Sequence, residues 1–144
     1  MIVYFHANAE DLGKCLPLLT RLREMLGARI IAMEYPGYGL HGYEGKSSQQ
    51  LQKDALTVYD FVNQVMKVKD QDIFLLGRSI GSSVATYVAQ HRDPGMVILM
   101  SPFKSIKTAA AAVFGDFMSN FVADQMNNAE MLEKVKSPVF IVHG

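Results

Sequence analysis

Short, nearly continuous apolar runs alternate along this chain with longer stretches of helical period. The runs cover residues 1–5 (MIVYF), 28–35 (ARIIAMEY), 72–77 (DIFLLG), 96–100 (MVILM) and 138–142 (PVFIV). A half-exposed strand would alternate apolar and polar side chains. Continuous apolar character is what strands covered on both faces carry, as in parallel sheets.

Between the first two runs, Leu12, Cys15, Leu16, Leu19, Leu22 and Leu26 recur mostly at steps of three and four. With Pro17 placed in the first turn, the spacing predicts a helix from about Leu16 that Gly27 caps. Leu51, Ala55, Val58, Val62 and Val65 draw one stripe over a second helix, roughly 48–68. Ser47 and Gln50 have the spacing of a capping box at its start. A third helix is expected over 79–90, with Val84, Ala85, Val88 and Ala89 inward and Asp93-Pro94-Gly95 as the break after it. Strand and helix in alternation predict βαβ units. Right-handed crossovers then put helices on both faces of a mostly parallel sheet, an α/β three-layer sandwich.

Residues 103–136 exceed what one crossover needs. They hold Ala109 to Ala112, then Phe114, Phe117, Met118, Phe121, Val122 and Met126, and end in a short helix from about Asn128. A pair of packed core helices is the plainer reading, and a small lid or pocket wall the alternative.

Composition narrows the function classes. The chain has 144 residues, 49% hydrophobic and 19% charged, which suits one domain and excludes intrinsic disorder. Lys and Arg number 14, Asp and Glu 14, so a broad basic surface for nucleic acid is not expected. The lone cysteine, Cys15, cannot form a disulfide within the chain and points to a reducing, cytoplasmic setting. No run approaches the ~20 apolar residues of a membrane span. The four histidines are scattered and Cys15 has no nearby partner, so neither a metal nor a cofactor is expected.

The candidate chemistry lies in Gly77-Arg78-Ser79-Ile80-Gly81, a G-x-S-x-G pattern. The pattern alone is common. Its placement, directly after a buried strand and opening a helix, is the context a nucleophile elbow requires. The turn is expected to strain Ser79 and expose its Oγ, while Gly77 and Gly81 let strand and helix approach. The backbone N–H of Ile80, at the helix N-terminus, would face an oxyanion. A second donor is expected from the loop after the first strand, His6-Ala7-Asn8-Ala9, through the N–H of Asn8 with Ala9 as fallback. His6 precedes the serine and reads as a histidine bonded into loop structure. The third possibility, a dinucleotide fold, needs a glycine-rich loop after the first strand, where this chain has HANAED.

The segments YFHANAEDLG, EYPGYG, LLGRSIGSSVA, VILMSPF and SPVFIVHG together resemble the α/β-hydrolase superfamily in its order and over nearly the whole chain. The branch they are most similar to holds the abhydrolase-domain protein depalmitoylases and the bud-emergence-like hydrolases. That branch has H-G-N-A where this chain has His6-Ala7-Asn8-Ala9. Tyr35-Pro36-Gly37-Tyr38-Gly39 resembles the family's turn after its fourth strand and reads as structural punctuation. The resemblance implies a serine hydrolase acting on acyl thioesters of proteins or on small carboxylic esters, with a serine peptidase as the alternative within enzymes. It also implies that any membrane attachment is not encoded in this stretch.

Family order places an acid and then a histidine after the serine. His91 falls at the far end of the following helix, about 18 Å from the elbow at 1.5 Å per residue. His143-Gly144 resembles the step that precedes the acid, and Asp93, Asp116 and Asp124 do not occupy its position. A His143–Asp124 dyad is a lesser alternative. The chain is therefore expected to be an incomplete α/β-hydrolase core, lacking the usual first strands, the C-terminal part, and the acid and base. An inactive interaction scaffold is the competing reading. The strand ending at His143 is expected to form an open edge that favours homo-oligomers.

Overall fold

A computed structural model describes residues 1–8, 10–41, 47–103 and 127–143. Five strands form one sheet: β1 (Ile2–Phe5), β2 (Ile30–Met33), β3 (Phe74–Arg78), β4 (Met96–Met100) and β5 (Val139–Val142). All pairings are parallel and the spatial order is β2-β1-β3-β4-β5. The helices are α1 (Leu12–Leu26), α2 (Ser48–Asp60), α3 (Ile80–His91) and the short α4 (Asn128–Leu132). This is the α/β sandwich that the alternation of runs predicts.

Side-chain alternation divides the core in two. Ile2, Tyr4 and Leu76 face α1, where Cys15, Leu18, Leu19 and Leu22 cover them. Val3, Phe5, Leu75, Val97 and Leu99 face the other way, against Leu51, Ala55, Val84 and Val88 of α2 and α3. Both faces of β1 and β3 are thereby dry, which is why their sequences carry no polar alternation.

Helix ends show where local pattern stops being sufficient. α1 begins at Leu12, one turn before the Leu16 start that Pro17 predicts, and Pro17 lies inside it. Asp11 caps the helix by accepting from the Lys14 N–H at 2.8 Å, and Glu34 Oε2 accepts from the Leu12 N–H at 3.1 Å. These acceptors satisfy first-turn donors and extend the helix upstream of the proline. Gly27 closes it in the left-handed conformation, φ 59°. Ser47 caps α2 through the Gln50 N–H at 3.0 Å, but the Gln50 side chain turns to Asp54 at 2.8 Å instead of completing a capping box. α2 passes into a π-helical turn over Phe61–Val65 and ends short of Val68.

The region 103–136 falls mostly outside the described residues, which leave out 104–126 and with them the lid or helix-pair reading. Its described end, α4, packs on α3 with Asn128 and Met131 buried. β5 is, like β2, an edge strand of the described sheet, and all four of its residues are exposed. No described helix is long and apolar enough to cross a membrane.

Candidate active site

The chain runs from β1 outward to β2, then crosses back to β3 and continues through β4 to β5. The reversal leaves a crevice at the carboxyl ends of β1 and β3. Open α/β sheets bind ligands at such a switch point, because the two flanking loops diverge there. In the β1–β3 register Phe5 lies opposite Gly77. The loop after Phe5 and the turn after Gly77 therefore leave the sheet side by side, and they carry Asn8 and Ser79.

Ser79 has φ 54° and ψ −118°, outside the regions that L residues favour. Several contacts hold it there. Its N–H donates to the Met100 carbonyl at the end of β4, at 2.9 Å. Its carbonyl accepts from the Ser82 N–H at 3.0 Å and from the Ser82 hydroxyl. Ser82 Oγ in turn accepts from Asn128 Nδ2 at 3.2 Å, and the same amide donates to the Phe103 carbonyl at 3.0 Å. Asn128, 2% exposed, thus braces the turn from α4. Strain of this kind persists only where surroundings over-determine it, and it concentrates at functional sites.

The glycines are needed for close approach. A Cβ on Gly77 would sit 2.3 Å from the Gly81 carbonyl oxygen and 2.7 Å from Ser82 Cα. A Cβ on Gly81 would sit 2.1 Å from the Phe5 oxygen and 2.7 Å from the His6 oxygen. Gly77 lets the turn fold onto itself, and Gly81 lets α3 seat its first turn on the end of β1. Among the described residues, neither the Ile80 N–H nor the Asn8 N–H donates to a backbone or side-chain acceptor. Both remain open for a ligand oxygen. Ala9, the alternative donor, lies outside the described residues.

The loop that carries Asn8 is pinned from three sides. His6 is fully buried, with Nδ1 2.9 Å from the Ala7 carbonyl and Nε2 3.0 Å from Glu34 Oε1. The ring stacks on Tyr35 with centroids 3.7 Å apart. Tyr35 donates its hydroxyl to the His6 carbonyl at 2.8 Å, and Tyr38 donates to Asn8 Oδ1 at 2.6 Å. The YPGYG turn is therefore more than punctuation: its two tyrosines hold the loop, helped by positive φ at Gly37 and Gly39. Glu10 completes the frame. Its Oε2 accepts from the Ala7 N–H at 3.1 Å, and its Oε1 accepts from Arg78, the residue before Ser79. No motif gives Tyr35, Tyr38, Glu10 or Asn128 a role at the site. Only the spacing YPGY hints at two of them.

Cys15 is 2% exposed and burial pushes its thiol up to about 11, so it stays protonated at neutral pH. A cavity of about 720 Å³, lined by Leu12, Gly13, Gly39, Leu40 and their neighbours, opens on the β2 side and does not include Ser79. No imidazole or carboxylate among the described residues is hydrogen-bonded to Ser79 Oγ. His91 sits at the far end of α3 with Nδ1 2.8 Å from the Tyr87 carbonyl. His143 is exposed after β5, two strands from β3, and Asp116 and Asp124 lie outside the described residues. No cluster of metal-ligating side chains is present among the described residues.

The chain matches the family described as "Serine aminopeptidase, S33" over residues 1–143. It is 28% identical to human alpha/beta hydrolase domain-containing protein 17C over 99% of its own length and 42% of that protein. The 17B protein of Xenopus laevis is likewise 28% identical, with 99% of this chain and 48% of that protein aligned. The chain thus spans less than half the length of these curated relatives. Among solved structures, an α/β-hydrolase from Vibrio vulnificus superimposes with a TM-score of 0.81 at 18% identity, over 97% of this chain and 55% of that one. A fluorophosphonate-binding serine hydrolase from Staphylococcus aureus, FphF, gives 0.69 at 16% identity, over 99% and 63%. These structural likenesses speak for the fold.

Proposed function

The chain belongs to the serine aminopeptidase S33 family within the α/β-hydrolase superfamily, and from that premise we propose that Ser79 is the nucleophile of an ester or thioester hydrolase. One observation carries the reading: Ser79 is held at φ 54° at the switch point of the sheet, and among the described residues the N–H groups of Ile80 and Asn8, on the two loops that leave it, have no acceptor. Ser79 Oγ attacks the substrate carbonyl carbon, and the carbonyl oxygen takes the charge between the two donors. The tetrahedral adduct collapses, the alcohol or thiol leaves with a proton, and water cleaves the acyl-enzyme. Each such donor is typically worth about 10²–10³ in rate. Among the described residues no side chain stands ready to take the Ser79 proton, and the reading needs a base and an orienting acid that the family order places after the serine. Substrates are small acyl esters or acylated proteins. Buried, unpaired Cys15 suits a reducing, cytoplasmic location.

Two other readings have specific support. The family description favours a peptidase, which uses the same elbow on an amide. The lack of a base bonded to Ser79 among the described residues favours a scaffold without turnover. Labelling with a fluorophosphonate, beside Ser79→Ala, separates them: labelling lost in the variant is the expected result. Absence of labelling in the parent chain favours the scaffold. Hydrolysis of a peptide but not of a p-nitrophenyl or thioester substrate favours the peptidase.

A further inference from the structure

Two N–H donors on separate loops can share one oxyanion only if their spacing is held. Asn8 stands on the β1–α1 loop and Ile80 opens α3, and 72 positions of sequence separate them. Below them Gly81 sets how closely α3 approaches β1. At the level of the donors themselves, the described side chain that reaches both loops is Glu10. Its Oε2 takes the N–H of Ala7, next to Asn8, at 3.1 Å. Its Oε1 takes the guanidinium of Arg78, next to Ser79. The Cys15 thiol also points at Oε2, at 3.7 Å, and helps fix the carboxylate on the side of α1. Glu10 is 22% exposed and Arg78 43%, so water reaches the pair. Nothing in the G-x-S-x-G pattern requires this contact, since the position filled by Arg78 is unrestricted there.

We propose that Glu10 is a positioning residue: by bridging the Ala7 N–H and Arg78, it sets the separation of the Asn8 and Ile80 donors across the crevice. It touches no reacting atom. Its carboxylate spans a junction that backbone pairing ends below, since β1 and β3 stop at Phe5 and Arg78. Without it the loop keeps His6, Tyr35 and Tyr38 as anchors, so the loop stays folded but its donor drifts. This rests on the serine-hydrolase reading above, because only an oxyanion makes the donor spacing matter to rate. The bridge itself is testable without turnover.

The test compares the parent chain with Glu10→Ala and Glu10→Gln in two readouts. The first is amide NMR, hydrogen exchange at Ala7 and chemical shifts at Asn8 and Ile80, with thermal melting as the control. Exchange at Ala7 is expected to speed up about 10-fold or more in Glu10→Ala and the Asn8 amide shift to move, with interior amides of β1 and β3 unchanged. Glu10→Gln keeps an acceptor for Ala7 but loses the charge toward Arg78, and is expected to fall between. The second readout is the split of kcat from KM on a small ester. A donor misplaced by about 1 Å costs on the order of 10²-fold. kcat is therefore expected to drop 10- to 100-fold in Glu10→Ala, with KM within about threefold. Exchange unchanged at Ala7 overturns the proposal, as does acceleration spread over the whole chain. Loss of KM in step with kcat overturns it too. If the parent chain neither labels nor turns over, the serine-hydrolase reading fails on its own, and the exchange comparison still decides the bridge.

Discussion

The inner and outer strands of this sheet are built to different standards. β1 is covered on both faces, its residues 0–4% exposed. β5 is just as apolar, yet Val139, Phe140, Ile141 and Val142 are 39%, 57%, 52% and 44% exposed. The two candidate oxyanion donors and Ser79 rise from the covered half. The difference teaches what a strained turn needs. A non-glycine residue at φ 54° costs on the order of 1–3 kcal/mol, and the bonds of Ser79 to Met100 and Ser82, seated on the covered strands, hold it there. The outer strand carries no such task. Among the described residues β5 pairs with β4 alone, and its apolar side chains stay exposed.

The comparison breaks most decisively at Gly81. Placing a Cβ 2.1 Å from the Phe5 oxygen forces α3 away from β1, and Gly81→Ala is expected to cost about 3 kcal/mol or more in urea unfolding. Close behind comes a matched pair of truncations. Leu75→Ala, in the middle of β3 and fully buried, is expected to cost about 2–5 kcal/mol. Ile141→Ala, on β5, is expected to cost below about 1 kcal/mol. Equal losses at the two sites would show that β5 is covered in solution.

A sharper probe of the inner half is chemical. With its thiol pushed up to about 11 and 2% exposure, Cys15 should alkylate far more slowly than a free cysteine at pH 7.5. Fast alkylation would mean that α1 opens readily. The smallest effect is expected at the far end of the molecule, where Arg92 pairs with Asp60 at 2.7 Å. The hydrogen bond from Arg92 holds the Asp60 carboxyl below its ordinary value of 3.8. A depressed pKa means the stabilisation is full above 3.8 and fades as pH falls through the lower folded value. Both side chains are about a third exposed, so the contribution is below about 1 kcal/mol. Asp60→Asn should lower stability slightly at pH 6 and narrow the parent's loss between pH 4 and pH 2.

Much of the elbow was legible because its determinants are local. A buried strand, two glycines around x-Ser-x and a helix start lie within a dozen residues, and their sterics force the turn. Gly27 and Ser47 read correctly for the same reason, since a cap is settled by its immediate neighbours. The start of α1 did not. Its first donor is satisfied by Glu34, 22 residues away, so the local proline signal lost to a tertiary acceptor. The role of the YPGYG turn was underread because Tyr35 and Tyr38 act on a loop 29 and 30 residues distant.

By itself, then, the order of side chains determined the alternation of strand and helix, the parallel sheet and the strained serine, all of which follow from contacts within one or two elements. Tertiary structure decided which residues brace that serine and its facing loop. Glu10, Arg78, Tyr38 and Asn128 acquire their roles from partners 30 to 68 residues away. No periodicity encodes such pairs. They exist because the crossover at β1 and β3 brings two loops to one crevice, where a buried polar group must find its partner in whatever element packs against it.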